Sequence, residues 1–181
     1  MEANEAQELH EHAEHGAHDP SMRPVAFSMS VLAVLVAVMT VLGHRTHTEA
    51  LLLQNKATDM WNEYQAQKIR STDTGLAADM MSVLTVADKD KAATKQKGYA
   101  DHQAKWSEDF AKDQEKAREF ETKVEEAEVR GNRFDLSETL LEIGLVITSV
   151  TLLTRSRIYW FLGLIFAAGG ILSALSVALL K

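Results

Sequence analysis

Cysteine is absent from the 181 residues. That excludes a disulfide framework, a thiolate zinc site, an iron–sulfur centre and a cysteine nucleophile. Proline is scarce: Pro20 and Pro24 are the only two, and the 157 residues after Pro24 have none. Such a stretch suits long, uninterrupted helices. The sequence also lacks a glycine-rich phosphate loop, a nucleophile–base arrangement and any cluster of metal ligands in its apolar segments. These absences predict a protein that is not an enzyme and uses no cofactor. The 26 acidic against 19 basic side chains, a net charge of −7, argue against a nucleic-acid partner, since phosphate binding needs a concentrated basic face.

What is present is unevenly spread. A mean hydropathy of −0.15 resembles that of one soluble acidic domain, yet the apolar residues gather in blocks near the two ends. Residues 1–24 form a polar leader with six acids and one base, which places −5 of the net charge there. It reads as an acidic, His-rich, disordered tail. His10, His12, His15 and His18 are weak candidates for metal binding or pH sensing. A solvated tail is the better reading, because their spacing fits no established site.

Residues 25–43 run 19 positions without a charge, long enough to cross the ~30 Å hydrocarbon core. The leader is acidic, unlike the basic start of a secretory signal, so this segment reads as a retained transmembrane helix. Two more spans are expected over 134–154 and 158–180, joined by Arg155-Ser156-Arg157. Tyr159, Trp160 and Phe161 suit an interfacial aromatic anchor.

Between the spans, residues 44–133 hold 17 acids and 15 bases, interspersed as on a solvated helix surface. Apolar residues recur at three and four: Leu53, Ala57, Met60, Tyr64, then Leu76, Met80, Val83, Ala87 after a phase shift near Gly75. Tyr99, Trp106, Phe110, Ala117, Phe120, Val124 and Ala127 share one heptad frame, with Gln103 and Asp113 as its polar exceptions. The pattern predicts a coiled-coil seam that also takes in Trp61. A turn at Asp88-Lys89-Asp90-Lys91 would divide the segment into near-equal arms. The expected fold is all-α: three transmembrane helices with a long antiparallel helical hairpin between the first and second. The short arginine-bearing loop then favours a cytoplasmic N-terminus, against opposing bases at Arg45, Arg130, Arg133 and Lys181.

Glu138 and Glu142 share one face of the second expected span. A free carboxylate two turns inside would cost on the order of 2–3 kcal/mol. The functional reading is a cation- or proton-handling group in a small channel or transport accessory. The favoured reading is structural, because the other spans carry no charge to meet it. Gly163, Ala167, Gly170, Ala174 and Ala178 form a small-residue stripe on the third span, and Ala26, Ser30, Ala33 and Ala37 a shorter one on the first. Both suit close helix packing, within the chain or with another copy.

The segments HRTHTEALLLQNKATDMWNEYQAQKIR, from His44 to Arg70, and FDLSETLLEIGLVITSVTLLTRSRIYWFLG, from Phe134 to Gly163, carry a resemblance. With the His/Glu-rich leader, they resemble a bacterial membrane-protein family, domain of unknown function 4337. The matching positions include Trp61, Tyr64, Gln65-Ala66-Gln67, Ile69 and Arg70, although the family usually has lysine where Gln67 stands. The resemblance spans essentially the whole chain. It implies a multi-pass protein of the bacterial inner membrane and supplies no catalytic residue. The expected partners are the lipid bilayer and either a second copy or an unidentified protein.

Overall fold

The computed structural model describes residues 21–84 and 88–179. It is all-helical, with no strand among the described residues. Three long helices follow one another: α1 (Arg23–Val83), α2 (Lys89–Thr154) and α3 (Arg157–Ser176), with a 3₁₀ turn at Val177–Leu179. Each contains a stretch long and apolar enough to cross a membrane. The leader, with its four histidines, lies almost wholly outside the described residues.

The helix ends follow from local chemistry. Pro24 sits in the first turn of α1, where its missing N–H has no partner to lose. From Arg23 to Val83 α1 runs 61 residues without a break. The expected boundary at residue 43 and the phase shift near Gly75 therefore do not interrupt it. Nothing in either place removes a backbone donor, and apolar periodicity can change phase without ending a helix. The turn expected at Asp88–Lys91 is not found at those residues, since α2 has begun by Lys89. Asp88 caps it: its carboxylate accepts the Lys91 backbone N–H at 3.1 Å and its carbonyl accepts that of Ala92. At its other end α2 stops at Arg155, whose φ of 55° is left-handed and whose N–H still bonds the Thr151 carbonyl.

Two compact units are distinguishable, one from residues through Glu49 and from Glu126 onward, the other Ala50–Glu125. In the first, the core draws on all three helices: Met29, Leu32 and Val36 from α1, Leu141 and Leu145 from α2, Ala167 from α3. Helices α2 and α3 approach to backbone contact. A Cβ on Gly163 would lie 2.6 Å from the Gly144 carbonyl oxygen, and one on Gly144 would lie 2.7 Å from that of Gly163. A Cβ on Gly170 would meet the Ser137 oxygen at 2.9 Å. In the apolar stretches, hydroxyls are retained by bonding one turn back: Ser30 to the Ala26 carbonyl, Thr40 to Val36, Thr148 to Gly144.

The second unit joins the later part of α1 to the earlier part of α2. Ala57 and Ala117 are fully buried between them, and the larger side chains around them are half-buried.

Candidate functional site

Three polar or apolar constellations carry the residues that the sequence singled out. The first lies in residues 50–125. Tyr64 packs edge-on against Phe110, with ring centroids 5.8 Å apart, and Trp61 meets Tyr64 at 5.7 Å. Tyr99, Trp106, Phe110 and Phe120 are half-buried. Phe120 lies beneath the ammonium groups of Lys56 and Lys123, 5.9 and 5.5 Å from its centroid. Trp61 serves the rim, donating its indole N–H to Glu121 at 2.8 Å. The ammonium of Lys68 lies 5.7 Å from the Tyr64 ring centroid. The carboxyl of Glu119 lies below its usual range, chiefly because it accepts a hydrogen bond from Lys123 and secondarily through that group's charge.

The polar exceptions of the heptad frame find partners on α1. Gln67 donates from Nε2 to Asp113 at 2.8 Å, and Gln103 donates to the Ser71 carbonyl at 3.4 Å. Asp113 is buried, and the Gln67 Oε1 beside it is buried without a hydrogen-bond partner. A buried polar pair of this kind fixes which residues stand opposite one another, at a cost in stability.

In the distal part of α1 the apolar side chains are not where the spacing placed them. Leu76, Met80 and Val83 are 60%, 53% and 83% exposed, and Ile69 is 62% exposed. The half-buried positions there are Ser71, Thr74, Gly75, Ala77, Ala78 and Met81. Small residues take the face that the Gln103 side chain reaches across to cover. A Cβ on Gly75 would fall 2.8 Å from the Gln103 amide nitrogen. Ala87, the fourth member of that expected set, lies outside the described residues.

The second constellation is a polar ladder between α1 and α2 in the other unit. Thr40 donates to Glu138 at 2.5 Å, His47 Nε2 meets Asp135 Oδ2 at 2.9 Å, and Arg130 pairs with Glu49 at 3.3 Å. Gly131 makes room for the imidazole, since a Cβ there would be 2.9 Å from the ring. Sequence spacing could not find this ladder, because its partners are 81 to 98 positions apart. A glycine inside a charged helical stretch was the one available signal. Glu138 is thus engaged with a hydroxyl, and Glu142 is half-buried one turn further along.

The third constellation is the helix packing around α3. Gly163, Ala167 and Gly170 are buried and Ala174 half-buried. The stripe faces Ser137, Leu141, Gly144 and Thr148 of the same chain. The shorter stripe on α1 behaves otherwise. Ala26 is buried and Ala33 half-buried, but Ser30 and Ala37 are exposed. Helix α1 buries the larger side chains of Val25, Met29, Leu32 and Val36 instead.

Among the described residues, no three His, Asp or Glu side chains come together to hold a metal ion. His10, His12, His15 and His18 lie outside those residues. No curated protein and no solved structure matches the chain. The model of one family, described as a domain of unknown function (DUF4337), matches residues 21–180, and the chain belongs to that family.

Proposed function

We propose that this chain is a non-enzymatic integral membrane protein of the bacterial inner membrane. Three spans anchor an antiparallel coiled-coil hairpin, which self-associates or binds a protein partner. The observation that carries this reading is the exposed stripe of Ile69, Leu76, Met80 and Val83 on α1. At 100° per residue it lies roughly 180° from the half-buried Ser71, Thr74 and Ala78. A helix that meets its neighbour through a face of mostly small residues has its large apolar side chains left for a partner. Cross-helix pairs in which one number rises as the other falls support an antiparallel hairpin: 61 with 121, 67 with 113, 71 with 103.

Membrane insertion is supported by apolar side chains left uncovered on all three helices. Phe27, Leu153 and Leu172 are 72%, 87% and 67% exposed, which is unfavourable in water and neutral in lipid. The arginines of the α2–α3 turn favour a cytoplasmic N-terminus.

The test is photocrosslinking of the full chain in native membranes, with the reactive residue placed at Leu76 or Met80. Discrete adducts are expected there and not from a control at Lys97, an exposed polar position. Adduct yields at Leu76 and Met80 no higher than at Lys97 would overturn the docking role.

The alternative is a small channel or transport accessory centred on Glu142. Its support is that Glu138 is taken up by Thr40 whereas Glu142 stands half-buried in an apolar helix stretch. Cation flux in proteoliposomes that vanishes in Glu142→Gln would favour it, and no flux in the wild type would remove it.

A further inference from the structure

The α2–α3 turn combines features that helix packing does not call for. Arg155 occupies a left-handed backbone position at φ 55°, the one non-glycine residue among those described with positive φ. Glycine is the inexpensive residue at such a helix end, because any Cβ crowds the neighbouring carbonyl. Arg157 follows two residues later and opens α3. Both arginine side chains are exposed, and neither forms an ion pair among the described residues. Between residues 21 and 30 and between 150 and 165, the charged residues are Arg23, Arg155 and Arg157, with no acid.

The surroundings fix the depth of this basic turn. Tyr159 and Phe161 are 40% and 59% exposed just beyond it, and Trp160 donates its indole N–H to Ser28 of α1 at 3.2 Å. An aromatic collar held by a second helix is what a headgroup-level boundary requires. Guanidinium groups match phosphate oxygens in charge and in the geometry of their paired N–H donors. The first turn of α3 adds backbone N–H groups, since Ser156 makes no side-chain cap and no acid occupies that turn.

We propose that Arg155 and Arg157 form a binding site for the headgroup phosphate of an anionic phospholipid at the α2–α3 turn. The proposal rests on the membrane reading given above. The left-handed backbone is retained at Arg155 because the side chain there is used for binding. Charge complementarity selects the lipid: an anionic headgroup leaves a net negative charge to meet the arginines, whereas phosphatidylcholine carries its own cation.

The experiment uses the full chain purified in a mild neutral detergent. Its thermal unfolding is followed with added phosphatidylglycerol, phosphatidylcholine or millimolar inorganic phosphate. Phosphatidylglycerol is expected to raise Tm by about 3 °C over phosphatidylcholine. Arg157→Gln and Arg155→Gly should each lose at least half of that gain. Arg155→Gly should unfold at no lower temperature than the wild type in phosphatidylcholine, since glycine suits the backbone there. An equal phosphatidylglycerol gain in both variants would overturn the site. A gain reproduced by inorganic phosphate alone would assign the turn to free phosphate and overturn the lipid. Flotation of the wild type with vesicles separates the two readings. A chain that floats yet shows no phosphatidylglycerol preference defeats this proposal alone. One that does not float defeats the membrane reading with it.

Discussion

His47 and Asp135 stand 88 positions apart in the sequence, and their side chains meet at 2.9 Å across α1 and α2. The imidazole fits because residue 131 has no side chain. Gly131→Val should displace the ring and break the pair, lowering stability by about 1–2 kcal/mol. His47→Gln, which keeps a donor at similar reach, should cost less. Thermal unfolding of both variants in detergent checks the order.

Gly163 is the more demanding glycine. Its missing Cβ would collide with the Thr148 hydroxyl and also with the backbone oxygen of Gly144 and the Thr148 backbone nitrogen, and backbone atoms cannot yield by a change of rotamer. Gly163→Ala should cost about 1–3 kcal/mol by forcing α2 and α3 apart. Ser30→Ala, at an exposed position of the other small-residue stripe, should stay within about 0.5 kcal/mol. Equal effects at the two positions would contradict the assignment of the α3 stripe to packing within the chain.

The Gln67–Asp113 pair offers a test of polar groups in a seam. Asp113→Ala strips the Gln67 amide of an acceptor and should destabilise by about 1–3 kcal/mol. Replacing both by leucine removes the buried orphan oxygen of Gln67 along with its donor. The double variant should therefore be at least as stable as Asp113→Ala, and a double-mutant cycle measures the coupling.

Asp88 sets a pH dependence at the start of α2. Its carboxyl lies below the usual aspartate range, mainly because it accepts the backbone N–H of Lys91, with the Lys91 side chain adding to the effect. A depressed carboxylate contributes stability that is present above its ordinary pKa and lost as pH falls through its lowered value. The Lys91 amide should thus keep its chemical shift on acidification to the ordinary aspartate range and move only below it. In Asp88→Asn the amide should show no such step. A wild-type midpoint at or above the ordinary aspartate value would contradict the cap.

The buried face of α2 was legible because burial on one side of a helix obeys a simple period. Ala117 and Val124 are buried, and Tyr99, Trp106, Phe110 and Phe120 half-buried, where spacing alone placed them. The same reasoning misplaced Leu76, Met80 and Val83. Spacing identifies a stripe on one face of a helix and cannot say which of two faces meets the neighbour. Here the face turned to α2 is the one on which the Gln103 amide lies, beside Ser71 and Gly75.

The sequence by itself determined an all-helical chain, three helices apolar enough to span a membrane, the acidic leader and the absence of cysteine chemistry. Those properties are local: composition and period act within a few turns, so they are written in adjacent residues. The tertiary structure alone decided that the small residues of α3 pack on α2, while α1 packs through larger side chains. It also brought together His47 with Asp135, Thr40 with Glu138 and Gln67 with Asp113. Each of these depends on the distance between two helix axes, which no single helix encodes. It emerges only when glycine, alanine and bulkier side chains on both surfaces are packed against one another.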